Sequence, residues 1–587
     1  MKNIVSKLSS NFGIIIILAI ALLLRTIFLN EVPLGLSNDE LSFIINAKAI
    51  SLTGYDVLGA WRPWSLQPIY NTFPMSELSF LIAIPTLSLF KFSLFTAKLP
   101  YALFSTMLVG LLYLITNKLF GKKEAIIVAI LATINPWGIF LGRTAFDSPI
   151  AIFYYMLALV ILLYGKGWKI LLSFIPLFLA FYSYIGTKII FVPFALFTIF
   201  FSWFILNAKK FTKYYLILVI ACISLFAYFL LNLNSGNAGG RLSEIYSPSS
   251  PAIAEKVNFA RKLSVSSPMI NLLVNKYTVF AKNFVDKYIG IFSPQYQFIS
   301  GDGDMHLSLW EHGYFYVLDF VFLLFGLYYM LAKNKKSAIL IIGLALISPL
   351  PAAFSSHEGG YAFRGVLMNP TLIIMTGIGI AYFITLPKQL LLKKIFAGAV
   401  FTAYAALLVN FLVIYFLRYP IYNSEGSNFS TRILARYAVL ANEQNKSVYV
   451  HSQEPDALYR GYVLYANVYD KNSAKAISKS FNEKTYALNK VSFSGSCPSK
   501  NEIESENNIV VINYSMKCNG LENYPNMKLS VKIEQLSDGG TIFSIYKDAV
   551  CSNQSLSRYP SNFKFFDFNV EKLSKDSFCA KYIFEKN

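Results

Sequence analysis

Residues 12–29, with the sequence FGIIIILAIALLLRTIFL, form the first of a series of long apolar segments. A helix of about 20 predominantly apolar residues can cross the hydrocarbon core of a membrane. No small-residue cleavage site precedes the polar residues that follow, so we expect the segment to stay in the chain as a signal anchor. The segment therefore predicts a membrane protein whose N-terminus lies in the cytoplasm.

The composition of the whole chain agrees with this prediction. Of the 587 residues, 55% are hydrophobic and only 14% are charged, whereas ordinary globular proteins have about 25% charged residues. A purely soluble protein is thereby excluded. The net charge of +20 would suggest a nucleic-acid partner in a soluble chain. Here the lysines lie between alternate apolar segments, as the positive-inside rule predicts for cytoplasmic loops, and we expect no nucleic-acid partner.

The apolar segments and the lysines between them predict about eleven transmembrane helices. The predicted spans are residues 12–29, 98–116, 125–142, 148–164, 170–186, 188–206, 214–231, 313–332, 338–353, 364–386 and 395–417. The apolar segment 76–90 is not counted, because a span there would place the lysines of residues 118–123 outside. Its Glu77, its Pro85 and its shortness favour a helix in the outer membrane interface. An odd number of crossings sends the C-terminus outside.

The predicted fold class is a polytopic α-helical membrane protein, placed in the plasma membrane, with a C-terminal α/β extracytoplasmic domain. Residues 1–417 form its transmembrane domain, with outer loops at 30–98 and 232–312. Hydrophobicity falls in residues 418–587, which we expect to form the extracytoplasmic domain. Short runs typical of strands lie there at residues 446–451, 508–513 and 541–546.

Four of the five cysteines lie in the predicted extracytoplasmic domain. An even number of cysteines in an extracytoplasmic segment favours two disulfides, most simply Cys497–Cys518 and Cys551–Cys579. Four cysteines allow three connectivities, and free buried thiols are the alternative.

Two adjacent acids, Asp39 and Glu40, follow the first predicted span by about ten residues. Paired carboxylates at a membrane surface are candidates for a general base or a cation site, because low dielectric and mutual repulsion raise one pKa towards neutrality. The alternative is structural, with Asp39 capping a surface helix and Glu40 in its first turn.

A second outer acid, Asp147, lies where the third predicted span ends and the fourth begins. Pro149 is suited to the first turn of a helix, so Asp147 is again a candidate cap. Arg143 and Asp147 also offer a phosphate-binding cation and a carboxylate at the same membrane depth as Asp39.

These motifs resemble those of the polyprenyl-phosphate-sugar-dependent glycosyltransferases of the GT-C fold, the superfamily of dolichyl-phosphate-mannose protein mannosyltransferases and aminoarabinose transferases. The resemblance covers about the first 230 residues well and the remainder in architecture. It rests on Asp39-Glu40, the interfacial helix around 74–90, the run Phe95-Thr-Ala-Lys-Leu-Pro100 and the pair Arg143 and Asp147. The resemblance implies that Asp39 is catalytic. Lys98 stands where the family often has Arg, and the C-terminal domain has no close counterpart.

The resemblance implies transfer of a sugar from a polyprenyl-phosphate-linked donor to an acceptor at the outer face of the membrane. Such a reaction needs a carboxylate to accept the acceptor's proton and cations to hold the departing phosphate. Asp39, Glu40 and Asp147 are the catalytic candidates. The cationic candidates are Lys98, Arg143, Lys188 and Arg364, each of which could instead be an interfacial anchor at the end of a span.

The histidines of the predicted outer loops are further candidates. His306 and His357 are possible site residues, and Asp302, Asp304 and His306 alternate in a way that could bind a divalent cation. A solvated turn is the alternative, and no cofactor is certain.

Other functions fit the membrane-protein composition. A transporter or flippase of lipid-linked glycans needs ionisable or broken-helix positions near the middle of the membrane, whereas the acids here cluster at one face. A glycan polymerase or ligase would be expected to place its essential residues in the later loop 232–312. The sequence does not distinguish a protein, a lipid and an envelope glycan as the acceptor.

Overall fold

The structure is a computed structural model that describes residues 2–61, 66, 69–70, 74–206, 209–232, 247–303, 307–309, 311–356, 359–518, 524, 527, 529–551, 556–557 and 563–585. Helices dominate the chain up to residue 443. In chain order they are α1 (Lys2–Thr26), α2 (Asn38–Thr53), α3 (Ile84–Leu89), α4 (Leu94–Leu119), α5 (Lys122–Ile134), α6 (Pro136–Gly142), α7 (Ser148–Tyr164), α8 (Phe174–Ser183), α9 (Lys188–Phe200), α10 (Thr212–Asn232), α11 (Pro251–Lys262), α12 (Pro268–Leu273), α13 (Lys276–Gly290), α14 (Val317–Lys333), α15 (Lys335–Ile347), α16 (Leu350–Ala353), α17 (Tyr361–Arg364), α18 (Met368–Thr385), α19 (Leu390–Val413), α20 (Tyr419–Tyr422) and α21 (Phe429–Glu443).

Among the described residues, six helical segments are long and apolar enough to cross a membrane. They are Leu94–Leu119, Lys188–Ile205, Lys209–Asn232, Lys335–Ala353, Met368–Thr385 and Leu390–Tyr422. Helices α5 and α6 pass the same test only as a pair, which is bent by 55° where Pro136 interrupts the helix, and they add a seventh span if the pair is counted as one. The chain is an integral membrane protein.

The predicted number of eleven spans is not confirmed. A helix lies at each predicted position, but those at 148–164, 170–186 and 313–332 are too short to count as spans by length and composition. Of α1, the part Phe12–Thr26 is apolar, and it is also short. Even when the 3₁₀ turn Gly167–Ser173 is joined to α8, the helical segment Gly167–Ser183 remains too short. The segment left out of the prediction is also short, and forms a 3₁₀ turn, Ser79–Ala83, followed by α3.

The C-terminal residues form an α/β domain, as predicted. Its helices are α22 (Pro455–Tyr465), α23 (Ala474–Glu483), α24 (Lys500–Glu504) and α25 (Lys575–Tyr582). Outside this domain, two short strands of the first loop, β1 (Ile69–Tyr70) and β2 (Pro74–Met75), pair with each other. The domain's seven strands are β3 (Ser447–His451), β4 (Ala487–Leu488), β5 (Val491–Ser494), β6 (Asn508–Asn513), β7 (Leu529–Glu534), β8 (Thr541–Tyr546) and β9 (Phe584–Glu585).

The seven strands form one sheet in the order β4-β5-β3-β6-β8-β7-β9. Strand β3 pairs in parallel with both β5 and β6, so that Val450 lies opposite Phe493 on one side and Val511 on the other. Strands β8, β7 and β9 extend the sheet antiparallel to their neighbours. The parallel centre of the sheet therefore has its three carboxyl ends at one edge.

Both predicted disulfides are present. Cys497–Cys518 joins the segments that follow β5 and β6, and Cys551–Cys579 joins the segment after β8 to α25. In each bridge the Cα atoms lie 5.6 Å apart, within the range that a disulfide spans.

Helix α2, from the first loop, shares a hydrophobic core with the C-terminal domain. Its Leu41, Ile44 and Ile45 belong to the same buried cluster as Ile433 of α21 and Tyr462 of α22. The predicted boundary at residue 417 therefore divides the sequence into two parts, but α2 of the first part packs with the C-terminal domain.

Candidate active site

The two adjacent acids occupy the first turn of α2 and have different environments. Ser37 is the N-cap of the helix, and its hydroxyl accepts a hydrogen bond from the Glu40 backbone N–H at 3.4 Å. The Glu40 carboxylate accepts a hydrogen bond from the Ser37 backbone N–H at 2.8 Å, which completes a capping box. Asp39 is therefore not the cap. Its side chain is exposed, whereas that of Glu40 is buried.

Glu40 also joins α2 to the turn that carries the second outer acid. Its Oε1 atom accepts a hydrogen bond of 2.6 Å from the Ala145 backbone N–H, in the turn between α6 and α7. Asp147 lies at the N-cap position of α7, but its side chain makes no capping hydrogen bond. It is buried and accepts a hydrogen bond from the hydroxyl of Ser76. Glu40 thus fixes the turn that holds Asp147 next to the start of α2.

Glu77, adjacent to Ser76, forms a buried ion pair with Lys188 at 2.5 Å. Burial raises the pKa of Glu77, an effect that the charge of Lys188 opposes. The cation of Lys188 also lies over the rings of Phe181, Tyr182 and Phe229. In the sequence, Glu77 stands out as a charged residue in an otherwise apolar segment. Its partner Lys188 lies 111 residues away, so no local pattern indicates the pair.

Arg364 lies at the end of α17, an element that packs against the turn before α7. The rings of Phe146 in that turn and Phe363 in α17 have centroids 4.2 Å apart. Arg364 is half-buried, and its Nη1 atom donates to the Gly359 carbonyl at 2.7 Å. Of the predicted phosphate-binding cations it is the most exposed.

Lys98 is fully buried in α4 and holds the chain just before α2. Its ammonium group donates to the carbonyl oxygens of Pro33, at 3.3 Å, and Gly35, at 2.7 Å. The structure therefore places Lys98 against the backbone of the first loop.

Arg143 is buried in a similar way. Its guanidinium donates to three carbonyl oxygens at the end of α1 and beyond it, those of Leu24 (3.1 Å), Phe28 (3.3 Å) and Val32 (2.8 Å). Its cation also lies over the rings of Tyr415 and Phe416.

Arg432, on α21, was not among the predicted residues and performs the same task from the C-terminal domain. It donates to the Leu34 carbonyl at 2.6 Å and forms an ion pair with Glu571 at 2.6 Å. Three cations from three elements thus hold the main chain between α1 and α2. No local pattern in the sequence distinguishes a cation that binds backbone carbonyls from one that binds a ligand.

A second cation missed by the sequence analysis is Arg460, on α22. It is buried, which lowers its pKa, and the negative charges of Asp456 and, to a lesser degree, Asp39 oppose that shift. Asp39 therefore lies within electrostatic reach of a positive charge on the C-terminal domain.

Of the predicted metal candidates, Asp302 lies among the described residues. Asp302 is buried and accepts a hydrogen bond of 2.7 Å from the Tyr361 backbone N–H. Asp304, His306 and His357 lie outside the described residues. Within the described part of the chain, no group of three or more His, Cys, Asp or Glu side chains is arranged to hold a metal ion.

The arrangement combines one exposed carboxylate with a set of buried charges that fix its surroundings. Asp39 can accept a proton from a molecule that approaches α2. Glu40 and Lys98 hold the turn on which Asp39 lies, and Arg364 follows Phe363, whose ring contacts Phe146 beside Asp147. These are the parts that a proton-abstracting transfer reaction requires.

No protein-family model and no curated protein matches the sequence. Among solved structures, the chain is similar to the archaeal oligosaccharyltransferase AglB from Archaeoglobus fulgidus in complex with an inhibitory peptide and a dolichol-phosphate. The identity is 13%, the match covers 93% of this chain and 75% of AglB, and the TM-score is 0.45.

The chain is also similar to ArnT from Cupriavidus metallidurans. For the apo structure the identity is 11%, the match covers 92% of this chain and 98% of ArnT, and the TM-score is 0.49. For ArnT bound to undecaprenyl phosphate, the identity is 12%, the coverage is 91% and 98%, and the TM-score is 0.45. These structural neighbours are glycosyltransferases of the GT-C fold.

Proposed function

We propose that the protein is a membrane glycosyltransferase, which moves a sugar from a polyprenyl-phosphate-linked donor to a hydroxyl or amine of an acceptor at the outer face of the membrane. The observation that carries the proposal is the exposed carboxylate of Asp39 on a turn whose capping is done by Ser37 and Glu40. An exposed acid in the first turn of a helix that another residue caps can meet a molecule that approaches the helix.

In the proposed reaction, the Asp39 carboxylate takes the proton of the acceptor O–H or N–H. The acceptor atom forms its bond to the anomeric carbon as the bond from that carbon to the phosphate oxygen breaks. Polyprenyl phosphate leaves, and its negative charge needs a nearby cation. We assign that cation to Arg364, because it is half-buried, whereas the side chains of Lys98, Arg143 and Lys188 are buried.

Glu40 has a positioning role in this proposal. Its two carboxylate oxygens accept hydrogen bonds from the backbone N–H groups of Ser37 and Ala145, so it fixes Asp39 relative to the turn that contains Asp147. Asp147 is the second candidate for the base.

The test is turnover of Asp39→Asn by the purified full-length protein. The substrates are polyprenyl-phosphate monosaccharides carrying a hexose, a pentose or an amino sugar, and the measured product is released polyprenyl phosphate. Losing a general base costs about 10²–10⁴-fold in rate, and the fold should survive because Asn has nearly the same shape as Asp.

The chain offers a matched control for this substitution. Asp576 is also an exposed acid in the first turn of a helix, α25, whose N-cap is Ser574. Asp576→Asn should leave turnover unchanged. Equal turnover of Asp39→Asn and Asp576→Asn would refute the assignment of Asp39, and Asp147→Asn would then be measured in the same assay.

A further inference from the structure

A groove of about 640 Å³ lies in the C-terminal domain beside the start of α2. Small-molecule sites typically measure about 300–1,000 Å³, so the groove has the size of a binding site. Its walls come from the first turn of α2, from α21 and from the segments that follow β3, β6 and β7. Six of the residues along it are Asn38, Asn428, Gln453, Glu454, Asn513 and Tyr514.

The groove lies where the topology of the sheet opens a crevice. The chain runs from β3 to β5 on one side and then returns past β3 to β6 on the other, which gives the order β5-β3-β6. Helix α22, which follows β3, packs in the cluster on one face of the sheet, whereas Ile503 of α24, which follows β5, packs on the other. The connections therefore diverge between the carboxyl ends of β3 and β6. Ligands of open α/β sheets bind at such a switch point.

The chemistry of the lining suits a hydrogen-bonding ligand that carries no negative charge. The described lining residues supply amides, hydroxyls and two carboxylates, and none of them is a lysine or an arginine. Hydroxyl and amide groups donate and accept hydrogen bonds without a net charge. A phosphate or another anion would meet no cation among them, whereas the hydroxyls of a sugar would find partners of both kinds.

An aromatic side chain stands at the groove beside these polar groups. Tyr514 follows β6 directly, and 72% of its surface is exposed. A large, rigid ring left in solvent next to hydrogen-bonding side chains offers an apolar surface to the C–H face of a sugar. Gln453, in the segment that follows β3, is also exposed.

One end of the groove reaches the proposed base. Asn38, which lines the groove, immediately precedes Asp39. The Asn428 amide nitrogen, on the C-terminal domain, donates to the Asn38 side-chain oxygen and to the Leu36 carbonyl, each at 3.0 Å. The wall of the groove is therefore fixed to the turn that carries Asp39.

We propose that this groove binds a neutral glycan as the acceptor and directs one of its hydroxyl groups towards Asp39. The proposal rests on the proposed function, whose acceptor it specifies as a carbohydrate. Transfer would then join the donor sugar to the hydroxyl of a glycan, with the proton taken by Asp39 and polyprenyl phosphate released.

The test measures binding without donor, so that it does not depend on catalysis. Neutral tri- and tetrasaccharides are titrated into the full-length protein in detergent, with calorimetry and saturation-transfer NMR as the two readouts. Tyr514→Ala and Gln453→Ala should each weaken binding about tenfold, which corresponds to the loss of a good contact. Tyr277→Ala and Asn472→Ala, which change an exposed ring and an exposed amide away from the groove, should not change the affinity.

The outcomes separate this proposal from the proposed function. No binding by any neutral oligosaccharide would overturn the glycan assignment, as would binding that Tyr514→Ala and Gln453→Ala leave unchanged. Binding of a neutral Ser/Thr-rich peptide in place of the oligosaccharides would also overturn it. Asp39→Asn should bind the glycan with wild-type affinity. If the variant also kept full turnover, the assignment of Asp39 as the base would be wrong, and the assignment of the groove as a glycan site would remain supported.

Discussion

Asp39 and Glu40 are neighbours in the chain but belong to different environments. The exposed carboxylate of Asp39 is open to solvent, whereas Glu40 is buried and accepts two backbone hydrogen bonds. The sequence identified the pair and left open which of them had a structural role. The structure separates them because the hydrogen bond to Ala145 comes from a residue 105 positions away, which no local pattern contains.

Glu40→Gln should lower the stability of the protein. A glutamine side chain has one oxygen acceptor, so one of the two buried N–H groups, of Ser37 or of Ala145, loses its partner. An unsatisfied buried donor costs about 1–3 kcal/mol. The loss is measured as a lower midpoint of thermal unfolding, and turnover per folded molecule should fall less than in Asp39→Asn. An unchanged midpoint would show that the carboxylate does not make both bonds.

The pair of Glu77 and Lys188 provides a second prediction. Lys188→Met leaves the buried Glu77 carboxylate without its cation, which typically costs about 3–5 kcal/mol. The double variant Glu77→Met/Lys188→Met removes the stranded charge and should recover most of the loss. Both are measured by thermal unfolding of the purified protein.

The exposed pair of Lys479 and Glu483 is the control for this experiment. Lys479→Met should cost less than about 1 kcal/mol, because surface ion pairs contribute little. A double variant no more stable than Lys188→Met would contradict the buried ion pair.

At the scale of secondary-structure elements, the sequence predicted strands whose own residues form an apolar run of about six. The three expected strands at 446–451, 508–513 and 541–546 correspond to β3, β6 and β8 within one residue. Strand β5, at Val491–Ser494, did not stand out, because its alternation of apolar and polar residues extends over only four residues. The number of spans was predicted less well, since the hydrophobicity of a segment does not fix where its helix begins and ends.

The two disulfides differ in burial and should differ in reactivity. Cys551 and Cys579 are both fully buried, whereas Cys497 is exposed. Reductant acts on accessible bridges first, so Cys497–Cys518 should open under native conditions and Cys551–Cys579 only after unfolding. Differential alkylation followed by mass spectrometry distinguishes the two bridges. Simultaneous labelling of all four thiols in folded protein would contradict the prediction.

The whole molecule is predicted to place the C-terminal domain outside the cell and the loop between α4 and α5 inside. Single cysteines introduced at Asn472 and Lys122, both exposed, test this in intact cells. A membrane-impermeant thiol reagent should label Asn472→Cys directly and Lys122→Cys only after permeabilisation. The reverse result would place Asp39 on the cytoplasmic side and exclude the proposed reaction at the outer face.

The common core of α2 and the C-terminal domain has a consequence for biosynthesis. Leu36 and its hydrogen-bonding partner Asn428 are separated by 392 residues, so at about 5–20 residues per second the ribosome needs about 20–80 s to make the second after the first. Throughout that time the apolar side of α2 has no cover from its final partner. The core that α2 shares with α21 and α22 can therefore form only after those two helices have been made, and the surroundings of Asp39 are completed only then.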